Sequence, residues 1–292
     1  MSGHPLLRWQ CPGHVQPQVV QAQWGRQAQG IPPGGPLDRC SATTCNHLLQ
    51  QEPEYAVLEW YGGPLQLTCL QACQLVVGGA PRAILLDGHA QTRYSRVSLQ
   101  PGMRLDLGPA QGGSLGYLAL RGGVRQASAC HLSAVQALSP LPGPGQRQAW
   151  QQWAGDWAPA AGVLRCLAGP EWHEDLRPLL SGPYYVTAAR DRRGMRLQGP
   201  PPPASLACDI VSGPTVDGLV QLTPGGPIIL LRDRGTIGGY LRAWVVIEAD
   251  LDLAAQLPVG SRIRFELVTY DQARDIRRRR DLAVARAIQL QP

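Results

Sequence analysis

Apolar and polar residues alternate in short runs along much of this chain, the spacing of strands with one face in a core and one in water. Leu65, Leu67 and Cys69 alternate with Gln66, Thr68 and Leu70. Met103, Leu105 and Leu107 repeat the pattern, and Ile263, Phe265 and Leu267 stand against Arg262, Arg264 and Glu266. Residues 83–86 run into Asp87-Gly88, a pair suited to a hairpin turn, and 117–120 close against Gly122-Gly123. Residues 163–167 and the neighbourhoods of Ile210, Leu219, Ile228 and Val245 add further strands. Helical signals are few. Asp38 is placed to cap a helix through Cys45, Leu48 and Leu49, and a short helix is expected around 172–180. Thr269-x-x-Gln272 reads as a capping box that opens a polar C-terminal helix. The pattern predicts an all-β protein, mainly β with a few short helices, in two barrel-like or sandwich-like halves.

Between the halves the texture changes. LPGPG and then three tryptophans in a Gln/Ala background mark a connector, and four prolines at 200–203 mark a second exposed loop. The expected division is an N-terminal β half over 1–140, a connector over 141–162, a C-terminal β half over 163–270 and a helix or tail over 271–292.

Composition narrows the chemistry. The chain has 34 glycines, 27 prolines and one phenylalanine, which suits many short strands joined by tight turns. It has no lysine, so arginine carries all the side-chain positive charge. A P-loop, a Schiff base and a lysine-attached biotin are therefore excluded on this chain. A phosphate or carboxylate site here must be built from arginine and backbone N–H groups. The net charge of +6 is scattered. The one dense run, 277–280, reads as a solvated helix face without the stacking aromatics of a nucleic-acid surface, and no nucleic-acid partner is expected. The eight cysteines show no CxxC spacing, and no apolar run is long enough to span a bilayer. Reduced thiols in a cytoplasmic protein, with no membrane partner, are expected.

Chemistry is most strongly signalled between residues 209 and 250. An apolar strand over 228–231 runs directly into Arg232-Asp233-Arg234, and a glycine hinge with Thr236, Gly238, Gly239 and Tyr240 follows. A second apolar strand is expected over 244–247. Paired glycines beside charged groups let backbone approach a ligand closely. A second candidate is the run Arg190-Asp191-Arg192-Arg193-Gly194-Met195-Arg196-Leu197, readable as a clamp for an anion or as a charged surface hairpin. Glu171 and Glu174 share a metal-like spacing, but His173 does not join them, and no metal is expected. Neither a nucleophile elbow, an HExxH helix nor a dinucleotide fingerprint is present.

Many pieces in fixed order resemble the 5-oxoprolinase C-subunit family, the KipA-like or allophanate-hydrolase-subunit-2 family of biotin-dependent carboxyltransferase domains. They include Gly30-Ile31-Pro32 to Gly35-Pro36-Leu37-Asp38, Leu58-Glu59 to Gly62-Gly63-Pro64, and Tyr117-Leu118-Ala119-Leu120-x-Gly122-Gly123-Val124. In the second half they are Gly169-Pro170-Glu171-Trp172-His173-Glu174, Arg193-Gly194-Met195-Arg196-Leu197-Gln198-Gly199, Gly218-Leu219-Val220-Gln221, Gly226-Pro227-Ile228 through Asp233, and Thr236-x-Gly238-Gly239-Tyr240. The chain departs from the family's motifs at Ala22-Gln23-Trp24, at RQASACHLSA after Gly122-Gly123, at Ala189–Met195 and at Gly235–Leu241.

The resemblance implies two cyclophilin-like β-barrel halves with a cleft. It implies an ATP-dependent opening of 5-oxoproline to glutamate, performed with a KipI-like and a LamB/YcsF-like subunit, with ATP as cofactor and no covalent biotin on this chain. Asp233, Arg196 and Tyr240 are the implied catalytic residues: Arg196 to hold a carboxylate, Asp233 to orient or take a proton. Gln221, Thr236, Gly238, Gly239, Arg26 and Asp38 are the implied substrate-binding residues. The alternatives are a KipA-like regulator that binds a KipI-like kinase inhibitor, and a biotin-dependent carboxyltransferase acting on a urea-like amide with a separate biotin carrier.

Overall fold

The computed structural model describes residues 4–10, 18–136, 138–141, 157–203 and 206–289. Most of the expected connector, residues 142–156, lies outside the described residues, as does Cys11. The chain forms two compact units. Residues 1–22, 38–153 and 284–292 make the first, and residues 23–37 with 154–283 make the second. Segment 23–37 thus belongs with the second unit, which a division of the sequence at 140 and 163 does not convey.

The first unit contains β1 (Leu7–Gln10), β2 (Gln18–Val20), α1 (Arg39–Leu48), β3 (Val57–Tyr61), β4 (Leu65–Cys69), β5 (Cys73–Gly79), β6 (Ile84–Leu86), β7 (His89–Ala90), β8 (Arg96–Leu99), β9 (Arg104–Leu107), β10 (Leu115–Leu120), β11 (Val124–Ser128) and β12 (His131–Ala134). They form a seven-stranded sheet in the order β11-β12-β1-β4-β9-β6-β7 and a five-stranded sheet in the order β2-β3-β10-β5-β8. The expected alternation is present: along β4, Leu65, Leu67 and Cys69 are buried and Gln66 and Thr68 half-buried. Leu7, Leu65, Leu105 and Leu107 of one sheet meet Leu58, Leu75, Val77, Leu118 and Leu120 of the other in one core. Each buried leucine contributes about 1.5–3 kcal/mol of transfer free energy.

Asp38 caps α1 as expected. Its Oδ1 accepts the Ser41 N–H at 2.9 Å and its Oδ2 accepts the Ser41 hydroxyl at 2.6 Å. The cap is buried beside Tyr117, whose hydroxyl accepts the Asp38 N–H and donates to Glu59. Burial and the neighbouring carboxylates of Glu59 and Asp38 push the Tyr117 phenol well above its ordinary value.

The second unit contains β13 (Val163–Ala168), α2 (Arg177–Leu180), β14 (Tyr184–Arg190), β15 (Gly194–Gln198), β16 (Asp209–Pro214), β17 (Leu219–Thr223), β18 (Gly226–Leu230), β19 (Ile237–Val246), α3 (Glu248–Gln256), β20 (Arg262–Leu267) and, up to residue 283, α4 (Tyr270–Gln289). The strand order is β13-β20-β14-β15-β18-β17-β19-β16, and β13 also pairs with β19. That extra pairing closes seven strands into a barrel and leaves β16 attached outside it, on β19 alone. Met195, Val220, Ile229, Trp244 and Phe265 fill the interior. Trp244 and Phe265 meet at 5.1 Å between ring centroids.

Charges lock the helices to the barrel. Asp250 of α3, wholly buried, accepts from the backbone N–H of Arg165 at 2.7 Å and from its guanidinium at 2.6 and 2.9 Å. The capping box of α4 is present: Gln272 Oε1 accepts the Thr269 N–H and Thr269 Oγ1 accepts the Gln272 N–H. Three expectations are corrected. Residues 172–180 are not one helix but a 3-10 turn over Glu174–Leu176 followed by α2, because Pro178 lacks the N–H that an earlier helical start would use. The strand expected at 244–247 begins at Ile237, since β16 pairs with its first half and carries it through both glycines. Run 277–280 is not wholly solvated: Arg280 is buried, with its guanidinium on the Glu248 carbonyl and near Asp252.

Candidate functional site

The register of the second unit's barrel places four side chains in one row on its outer face. Arg196 of β15 is opposite Ile228 of β18, Ile228 is opposite Gln221 of β17, and Gln221 is opposite Arg242 of β19. The neighbouring row, Met195, Ile229, Val220 and Trp244, points into the core. A bulge between Val220 and Gln221 makes this possible. It inserts Ala243 into β19, so Arg242 faces the same side as Gln221 although Trp244, two residues on, faces inward. Gly238 and Tyr240 precede Arg242 on that outer face.

An open groove of about 530 Å³ lies on this face, lined by Arg190, Arg193, Gly194, Arg196, Leu230 and Gly235 among others. The charges of its arginines are not equivalent. Arg193 is paired with Asp191 at 2.9 Å, and Arg190 donates to the carbonyls of Ala255 and Leu257 at the end of α3. The half-buried Arg196 has no carboxylate partner among the described residues. Arg242, at the other end of the row, is neutralised by Glu171, which accepts from its Nε at 2.9 Å and also from Nη2. Those hydrogen bonds hold the Glu171 carboxyl below its ordinary value.

Asp233 stands past the end of β18. It does not pair with Arg232 or Arg234 beside it. Arg232, 2% exposed, is paired with Asp217 at 2.9 Å and Asp252 at 3.1 Å, and Arg234 lies 3.1 Å from Asp217. The Asp233 carboxylate instead accepts from Arg192, Nε to Oδ2 at 2.7 Å and Nη2 to Oδ1 at 3.2 Å. Arg192 also donates to the Gly35 carbonyl at 2.6 Å, and the Gly34 N–H donates to the Arg232 carbonyl. Gly34 has φ 61°, and a Cβ there would lie 3.3 Å from Asp233 Oδ1, so glycine satisfies both the backbone and the contact.

The sequence-predicted residues therefore fall into three groups. Arg196, Gln221, Gly238 and Tyr240 share the outer face of the barrel. Asp233 and Thr236 border it: the Thr215 N–H donates to the Thr236 carbonyl, and the Thr215 hydroxyl donates to Gly235. Gly239, on the opposite side of β19 from Gly238, approaches Ser212 of β16. Arg26 is exposed and, among the described residues, its side chain reaches Gln23 and Gln29, and Asp38 belongs to the first unit as a helix cap. The sequence reading did not single out Arg192, Thr215, Arg242 or the contact of Gly34 with Asp233. Arg192 carried a signal, its place among alternating arginines, but not the identity of its partner. Among the described residues no group of three His, Cys, Asp or Glu side chains could hold a metal ion, and no helix is long and apolar enough to cross a membrane.

Comparison with known proteins agrees with this architecture. The chain is 29% identical over 282 residues to the 5-oxoprolinase C-subunit of Haemophilus influenzae, covering 89% of this chain and 90% of that protein. It is 29% identical over 269 residues to the 5-oxoprolinase C-subunit of Escherichia coli, covering 85% and 87%. The crystal structure of TTHA0988 superposes with a TM-score of 0.78 at 31% identity over 90% of this chain, which spans 56% of the TTHA0988 chain. The urea amidolyase of Kluyveromyces lactis shares the fold, with a TM-score of 0.82 at 21% identity over 97% of this chain and 20% of that one. The model of the carboxyltransferase domain, subdomain A and B, matches residues 29–149 and 132–267, and the chain belongs to that family.

Proposed function

We propose that this chain is a subunit of an ATP-dependent 5-oxoprolinase, opening 5-oxoproline to glutamate in the cytoplasm together with a KipI-like and a LamB/YcsF-like subunit. The observation that carries the reading is the row on the second unit's outer face. It presents a guanidinium without a carboxylate partner, Arg196, and a side-chain amide, Gln221, on either side of Ile228. Adjacent strands are about 4.8 Å apart, so the backbones of Arg196 and Gln221 stand roughly 10 Å from each other. Arg196 lines the open groove and can address the carboxylate of a small cyclic amide, while the Gln221 amide, buried and turned toward Tyr240 of β19, addresses the lactam after a change of rotamer. The likeness to the 5-oxoprolinase C-subunits supports the same substrate class.

In this reading Arg196 holds the substrate carboxylate and Gln221 hydrogen-bonds the lactam. Asp233, at 36% exposure, keeps lone pairs open beyond those that Arg192 occupies, and orients or takes a proton as the ring opens. Tyr240 follows on the same face, and the missing Cβ at Gly238 makes the room that the Gln221 amide occupies. Negative charge that develops on the lactam oxygen is met by fixed donors. ATP, held through a partner subunit, would supply the energy for water to add to the lactam carbonyl and release the ring nitrogen as the amine. A neutral urea-like substrate fits less well, because it leaves the Arg196 charge uncompensated.

A second reading, a KipA-like regulator without turnover, is supported by a different observation. Val211, Ile237 and Tyr240, on the β16–β19 ribbon, are 91%, 69% and 39% exposed. Ile237 and Tyr240 stand on opposite faces of β19, so the ribbon offers exposed apolar side chains to a protein partner from both faces. One experiment separates the two: co-expression with the KipI-like and LamB/YcsF-like subunits, and assay of glutamate release from 5-oxoproline with and without ATP. ATP-dependent release that requires this chain supports the enzyme. A stable complex with no release rejects it and supports the regulator.

A further inference from the structure

We infer that Arg192 is the positioning residue for Asp233, fixing the carboxylate and the loop that contains Gly34 and Gly35 as one rigid unit. The inference rests on the proposed 5-oxoprolinase reading for its consequence in turnover, but not for its structural content.

Three segments distant in sequence meet at this guanidinium. Arg192 lies in the turn between β14 and β15, Asp233 follows β18, and Gly35 belongs to segment 23–37 of the same unit. The side chain of Arg192 is 11% exposed and that of Asp233 36% exposed, so the arginine is buried behind the acid. Its Nε and Nη2 take the two carboxylate oxygens, and Nη2 also takes the Gly35 carbonyl. Backbone bonds complete the unit: the Asp233 N–H donates to the Arg192 carbonyl at 2.9 Å, and the Gly34 N–H donates to the Arg232 carbonyl at 3.2 Å.

A carboxylate on a free corner rotates about χ1 and χ2. Gripped by a planar fork and set against Gly34, where an added Cβ would lie 3.3 Å from Oδ1, it keeps one orientation. Of the other arginines of the run, Arg193 meets Asp191, Arg190 meets the carbonyls that end α3, and Arg196 makes no ion pair among the described residues. Arg192 alone in that run connects to the candidate proton-handling group, and a lysine, with no fork, reproduces the charge without the orientation.

The test uses the co-expressed assembly with Arg192→Ala and Arg192→Lys, each with and without added guanidinium, and Asp233→Ala as the control. Backbone amide exchange at Gly34 and Asp233 is measured on the same samples. In Arg192→Ala, kcat is expected to fall about tenfold or more while KM stays within about twofold, since orientation rather than binding is lost. Sub-denaturing guanidinium should restore part of kcat to Arg192→Ala and none to Asp233→Ala. Arg192→Lys should fall between the alanine variant and the natural enzyme. Exchange at Gly34 and Asp233 should quicken in Arg192→Ala and slow again with guanidinium. Wild-type kcat in Arg192→Ala, or unchanged exchange at both amides, overturns the inference. If the natural assembly releases no glutamate, the functional reading fails by itself. Exchange then decides whether Arg192 positions Asp233: loss restored by guanidinium upholds it, and unchanged protection rejects it.

Discussion

The side-chain amide of Gln221 occupies the space where Gly238 has no Cβ: a methyl group at 238 would lie 2.5 Å from Gln221 Nε2. The two residues are on adjacent strands, and Gln221 Nε2 also reaches the Tyr240 carbonyl at 3.5 Å. Gly238→Ala must therefore push the glutamine off its place. The variant should remain folded, at a cost of about 1–3 kcal/mol for the overpacking, and lose most of its turnover or ligand affinity. Adding Gln221→Ala should return stability without returning function. Urea denaturation of the two single variants and the double variant measures the coupling, and additive effects would show that the contact carries no energy.

Arg232 is one of the most deeply buried charges in the chain, between Asp217 and Asp252, with Arg280 also 3.6 Å from Asp252. Removing it takes one buried positive charge from both carboxylates, with Arg234 still beside Asp217 and Arg280 still near Asp252. Arg232→Ala is expected to cost about 3–5 kcal/mol, the usual penalty for breaking a buried pair. The denaturation midpoint should fall with the slope unchanged. A loss under about 1 kcal/mol, the scale of an exposed pair, would mean that solvent reaches this corner.

Period-two alternation made the strands of both units legible in the sequence, because Leu65, Leu67 and Cys69, or Ile263 and Phe265, owe their burial to one strand alone. Asp38 and the Thr269–Gln272 box were equally legible, since a cap is decided within three residues. The outer row was legible only in its members. Arg196, Gln221 and Tyr240 can be named one by one, but their alignment depends on register and on the bulge that inserts Ala243, neither of which has a local sequence signature. Partner choice was the least legible. Asp233 has an arginine on each side in sequence and pairs with neither, because Arg232 and Arg234 turn inward to Asp217 while Arg192 arrives from 41 residues away.

Glu171 and Arg242 give the chain a pH-dependent clamp. The arginine's hydrogen bonds lower the Glu171 carboxyl in the folded protein. A carboxyl with a depressed folded value contributes stability above its unfolded value, about 4.3, and that contribution is lost as pH falls through the lower folded value. Glu171→Gln should therefore melt below the natural protein at pH 7, by an amount fitting a partly exposed pair of about 1 kcal/mol. The difference should shrink as pH is lowered past about 4. Melting curves of the two proteins from pH 7 to pH 3 provide the check, and a gap constant over that range would exclude the charge as its cause.

Arg196 makes no ion pair among the described residues, so its charge does little for the fold. That separates function from stability in a single side chain. Arg196→Gln should melt within about 0.5 kcal/mol of the natural protein, the range of substitutions away from packed or paired groups. If the guanidinium holds a carboxylate, the same change should weaken binding of 5-oxoproline by roughly 1.5–3 kcal/mol, the range for a charged hydrogen bond. Binding of 2-pyrrolidone, which has the same lactam ring without the acid, should be nearly unchanged. Arg196→Lys keeps the charge but loses the fork and should bind 5-oxoproline with intermediate strength. Competition binding of the two lactams to the assembled complex reads all of this. Equal losses for both would move the carboxylate away from Arg196, and no loss for either would remove the groove from substrate binding.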